Sequence, residues 1–225
     1  MTYFKNSMVK CKCCKRDREA SYFQPMVNRR NKMTARCSIC RNIVRRSAIN
    51  PTTKVGKCRA LFQKWRSDHA CEQCGIRDSR LIEADHQAEF KKVHRCSHYH
   101  WWAWNGGVEA LQAELGKCKP LCRFCHRLKT QAERKQQKQP NIIAKRKIVN
   151  AEKLKRGSCL TCHREVSLEN AQAFDFDHKN PETKRMGLAN MVHKCWDYFN
   201  AHAKEEMSQC SLLCTNCHHI KTYYS

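Results

Sequence analysis

The chain has 225 residues, 44 Lys and Arg against 20 Asp and Glu, and 18 cysteines. No stretch reaches the roughly 20 consecutive apolar residues of a membrane span, and Met1-Thr-Tyr-Phe-Lys lacks the apolar core of a signal peptide. The expected setting is therefore an intracellular, reducing compartment with no membrane partner, where C-x-x-C pairs read as zinc ligands rather than disulfides.

Taken in chain order, residues 8–46 carry Cys11/Cys14 and Cys37/Cys40, two knuckles that predict a zinc ribbon within a first domain of residues 1–56. The adjacent Cys13 leaves the first knuckle open by one residue. Cys58, Leu61, Phe62 and Trp65 then fall at i, i+3, i+4 and i+7, one face of an amphipathic helix expected to pack on the module that follows. That second domain spans 57–130. Residues 131–156 hold nine Lys/Arg against two Glu and read as a basic helical linker, broken or kinked at Pro140, that serves as a solvated spacer or as a strap along a nucleic-acid backbone. Residues 157–225 form the last domain.

The second and last domains repeat one pattern. Asp85-His86 precedes Cys122-x-x-Cys125-His126-x-x-Lys129, and Asp177-His178 precedes Cys214-x-x-Cys217-His218-x-x-Lys221, with 36 positions from histidine to cysteine in both copies. An offset of 92 also matches Glu83 with Asp175, Trp104 with Trp196, Glu114 with Glu206 and Cys118 with Cys210. The upstream pairs Cys71/Cys74 and Cys159/Cys162 align at 88, so the second copy has four more residues in a loop that a zinc-pinned hairpin tolerates. The eight cysteines of these knuckles read as two structural zinc sites. Cys118 and Cys210 read as small buried thiols, Cys96 and Cys195 do not align, and Trp104, matching Trp196, reads as core.

Phe174-Asp175-Phe176-Asp177-His178 alternates as a strand does, and Ile82-Glu83-Ala84-Asp85-His86 does so more weakly. His218 and His126 fall on the first turn of a helix opened by the second knuckle. A hairpin bearing Asp-His and a helix bearing a second His can gather around one divalent ion. Phosphodiester hydrolysis needs such an ion to stabilise the transition state and a neutral imidazole to deprotonate water.

With these motifs the chain resembles the HNH endonucleases of the ββα-metal (His-Me finger) group, in the zinc-bound form common in phages and large DNA viruses. The likeness is carried by Cys159/Cys162, Phe176-Asp177-His178-Lys-Asn-Pro181, Trp196 and Cys210-Ser-Leu-Leu-Cys214-Thr-Asn-Cys217-His218, and less fully by the first copy. It implies an α+β protein of small zinc-stabilised modules, an N-terminal ribbon followed by two tandem ββα fingers joined by basic helices. It further implies His178 as general base with Asp177 and His218 holding Mg2+ or Mn2+, and His86, Asp85 and His126 in the same roles in the first copy. The family's middle Asn, which orients the base, is replaced by Lys117 and Gln209; only the amide of Gln209 can still accept a hydrogen bond.

Each zinc held by four thiolates is a −2 centre, so three of them lower the formal charge from +24 to +18, which still calls for a polyanionic partner. The expected partner is DNA, double-stranded, and the expected activity is endonucleolytic. The rival reading is a non-catalytic zinc-stabilised DNA-binding or virion protein, with an RNA-directed role third.

Overall fold

A computed structural model describes residues 8–12, 17–19, 23, 50–133 and 139–224. Cys13, Cys14, Cys37 and Cys40 lie outside the described residues, as does most of the segment expected to form a ribbon; within it Cys11 is buried and β1 (Met8–Lys10) pairs antiparallel with β2 (Asp17–Glu19). The chain divides into two compact units, one of Met1–Ala60 with Tyr99–Val108 and one of Leu61–His98 with Glu109–Ser225. The architecture is α+β. No helix among the described residues is long and apolar enough to cross a membrane.

The repeated sequence folds into repeated structure. Strand β3 (Ile82–His86) pairs antiparallel with β4 (Cys118–Cys122), and β5 (Phe174–His178) pairs with β6 (Cys210–Cys214). The registers are equivalent: Ile82 faces Cys122 as Phe174 faces Cys214, and His86 faces Cys118 as His178 faces Cys210. Each second strand runs directly into a helix, Arg123–Glu133 or Thr215–Tyr224. Upstream knuckles dock by matching bonds, the Glu72 N–H to Pro120 O and the Leu160 N–H to Leu212 O, each at 2.9 Å.

Both hairpins contribute to one core, in which Ile82, Leu121 and Phe124 of the first copy meet Phe174, Leu212 and Leu213 of the second. Phe124 and Phe174 make an edge-to-face contact at 5.6 Å, and the Phe124 N–H donates to Asn216 Oδ1 at 3.0 Å. Trp65 packs against this core, and Cys58 and Phe62 are buried, as the predicted face of the helix Lys54–Asp68 requires.

The basic linker is built into the fold. A helix runs from Pro140 to Arg156, with the proline at its first turn where the missing N–H costs nothing. Its Ile142 and Val149 join Leu188, Met191, Phe199 and Met207 in a second core. Lys145 and Lys153 are buried, and Arg156 donates to the carbonyls of Cys210 and Met207 at 2.6 and 2.5 Å. Three of its cations thus tie down protein rather than nucleic acid.

Trp104 differs from expectation: it is 78% exposed, with Lys54 Nζ 5.9 Å from its ring centroid, while Trp102 is buried. The aligned tryptophans occupy unlike helix positions. Trp196 opens a helix of 13 residues and packs partly on the second core, whereas Trp104 closes one of 6.

Candidate metal centres and the paired histidines

Two cysteine clusters assemble as the spacing predicts. Cys71, Cys74, Cys122 and Cys125 bring their sulfurs within 4.8 Å of one another, and so do Cys159, Cys162, Cys214 and Cys217. In both, the backbone N–H after the strand turns onto a sulfur, with Cys125 N to Cys122 Sγ and Cys217 N to Cys214 Sγ at 3.5 Å. The thiols perturb each other strongly. The hydrogen bond with Cys125 lowers Cys122 to about 4 and raises Cys125, while burial lifts Cys214 to about 11. Four such sulfurs cannot all ionise at this distance without a cation; a dication resolves the conflict, and tetrathiolate geometry suits zinc.

The strand pleat then divides the Asp-His dipeptides, because successive side chains leave opposite faces. Asp175 and Asp177 share one face and clasp the helical histidine: His218 Nδ1 is 2.9 Å from Asp175 Oδ2, and its Nε2 is 3.5 Å from Asp177 Oδ1. Glu83 and Asp85 hold His126 likewise, at 2.7 and 3.2 Å. Asp177 and His218 therefore lie close enough to share one ion, and so do Asp85 and His126. Asp177 is also paired with Lys221, and Asp85 with Lys129. Burial works to raise Asp175, but the His218 hydrogen bond and the Arg127 charge hold it below the usual carboxylate range. Glu83 is lowered in the same manner, while the Glu83 hydrogen bond raises His126.

His178 and His86 point the other way. His178 Nε2 lies 2.6 Å from Glu206 Oε2, and His86 Nε2 lies 2.9 Å from Glu114 Oε1. Both glutamates are almost fully buried and each takes a further backbone N–H, from Arg185 and Val93, residues that are themselves 92 apart. Nε2 must carry the proton in these contacts, because a carboxylate only accepts. Each glutamate thus fixes the ring of its histidine, a contact that the sequence had left open only to Gln209. Lys117 instead donates to Glu114 at 2.8 Å, and the buried Gln209 Oε1 has no hydrogen-bond partner among the described residues. Asp175, Glu206 and their counterparts were visible in the 92-residue alignment, which paired carboxylates with carboxylates at those positions.

Cys118 and Cys210 sit opposite His86 and His178 in the ladder, hence on the same face. Cys210 donates to Glu206 O at 3.1 Å. Cys118 has a further neighbour, Cys96, with the sulfurs 3.9 Å apart.

No family model matches the chain, and neither does any curated protein or solved structure. The fold and site define a class: an α+β protein of small antiparallel hairpins with cysteine clusters suited to zinc or another soft divalent metal.

Proposed function

We propose that this chain is a zinc-stabilised, DNA-binding endonuclease of the HNH type that hydrolyses phosphodiester bonds at its second hairpin–helix copy. The observation that carries the reading is the separation of 3.5 Å between Asp177 Oδ1 and His218 Nε2, with His178, the next residue of the strand, held at 2.6 Å by buried Glu206. Carboxylate and imidazole form a donor set for Mn2+ or Mg2+, which when bound would stabilise charge on the scissile phosphate. His218 donates Nδ1–H to Asp175, so its Nε2 lone pair is aimed at the ion position. Glu206, by accepting from Nε2 of His178, leaves Nδ1 as the basic nitrogen that takes the proton from water. The net charge of +24 supports DNA as the polyanion bound.

A second reading, a DNA-binding zinc protein without catalysis, is favoured by the Lys221 ammonium, which already neutralises Asp177, and by the 6% exposure of the His178 side chain. One assay separates them. Supercoiled plasmid with Mn2+ or Mg2+ should be nicked by the full chain, and Asp177→Ala, His218→Ala and His178→Ala should each lower the rate about 100-fold or more. Nicking that survives His178→Ala, or none with either metal, overturns the hydrolytic reading and leaves only salt-sensitive binding.

A further inference from the structure

The two copies are not chemically equivalent around their Asp-His histidines. In the first, Cys96 folds back from the loop after β3 and is buried against Cys118, with sulfurs 3.9 Å apart. One donor atom each from His86, Cys96 and Cys118 all lie within 4.8 Å of one another. In the second copy the residue 92 positions beyond Cys96 is Leu188, also buried, and the cluster is lost.

We propose that His86, Cys96 and Cys118 form an additional zinc site, distinct from the tetracysteine clusters, in which buried Glu114 orients the ligating imidazole. Three features support it. Two sulfurs and one imidazole are a donor set zinc prefers over harder cations. His86 gives its Nε2–H to Glu114 at 2.9 Å, which leaves Nδ1 with the lone pair a ligand needs; a ligating histidine characteristically passes its other ring N–H to a carboxylate in this way. Glu114 is itself fixed by Lys117 at 2.8 Å and by the Val93 N–H at 2.8 Å, so the imidazole cannot swing away cheaply. Two thiolates neutralise the dication, and the Lys117 ammonium balances Glu114, so the partly buried cluster carries no net charge. The fourth position falls to solvent or to an incoming donor.

This assignment turns His86 from a candidate base into a metal ligand and so confines hydrolysis to the second copy. It stands whether or not that copy hydrolyses DNA. Native mass spectrometry of the reduced full chain, loaded with zinc and desalted, should show one zinc fewer for Cys96→Ser than for wild type, and no loss for Cys210→Ser. Equal zinc content in wild type and Cys96→Ser overturns the site. Because a variant can lose metal by unfolding, the unmutated chain gives a second readout. Loaded with 113Cd, it should show one resonance upfield of the all-sulfur sites, shifted by the nitrogen ligand. A spectrum holding only all-sulfur resonances, or a Cys96–Cys118 disulfide in the protein as isolated, overturns the proposal equally.

Discussion

Arg127, on the helix of the first copy, places Nη1 3.2 Å from Asp175 Oδ1 of the second. Asp175 in turn holds His218, so the first copy props the imidazole through which the second would bind its ion.

Arg127→Ala should weaken divalent-ion binding at the second copy by about tenfold, the cost typical of losing an outer-shell partner. Stability should fall by less than about 1 kcal/mol, because the pair is partly exposed. Titrating nicking against Mn2+ and comparing thermal midpoints checks both. A large loss of stability with an unchanged Mn2+ dependence would show that the arginine only glues the repeats together.

Each tetracysteine cluster joins a knuckle to a hairpin, and a zinc ion held there would supply free energy that small cores do not. Cys159→Ser should remove one zinc and cost at least about 3 kcal/mol. Chelation of the wild-type chain should produce a cooperative loss of structure reversed by zinc. Circular dichroism with metal analysis reads both outcomes.

The Cys71/Cys74 knuckle closes on Gly75 at φ 74°, and its counterpart Cys159/Cys162 closes on His163 at φ 56°. A Cβ on Gly75 would meet nothing within 4 Å, so Gly75→Ala should cost only the left-handed backbone penalty of about 1 kcal/mol. His163→Gly should relieve that penalty and stabilise the fold by about 0.5–1 kcal/mol. Chemical denaturation of the two variants should give shifts of opposite sign.

Burial lowers Lys153 to about 8, with its Nζ donating to Ala171 O at 3.0 Å. The folded chain thus releases this proton before the unfolded chain does. Below pH 8 both states hold it and the burial cost is complete; as pH rises from about 8 to the ordinary lysine value of 10.5 the cost disappears and stability increases. Lys153→Met should abolish that rise and gain about 2 kcal/mol at pH 7. Urea denaturation from pH 7 to 10.5 provides the measurement.

The equivalence of the two hairpins was legible in the sequence because the 92-residue offset ties each strand residue to a structural twin, as at Glu83 and Asp175, whereas which residues face each other across a hairpin was not. The cysteine clusters were legible because four cysteines at fixed spacing have few alternatives. Cys96 was not, since no local pattern tells where a loop thiol folds back. The orienting role of Glu206 was hidden for a different reason: a glutamate on an amphipathic helix reads as solvated until a tertiary contact buries it against His178. Trp104 misled because matching by residue type ignores the turn of the helix on which a residue falls.

The bond from Phe124 N to Asn216 Oδ1 joins residues exactly one repeat apart, and it has an evolutionary consequence. The duplicated copies are bound to each other as the subunits of a dimer would be, but within one polypeptide, so each is permanently supplied with its partner. A copy in that position is freed from identical duty. The first can trade its own chemistry for stiffness and a buttressing arginine and still be retained, because cutting it away would strip Phe174 of Phe124 and Asp175 of Arg127.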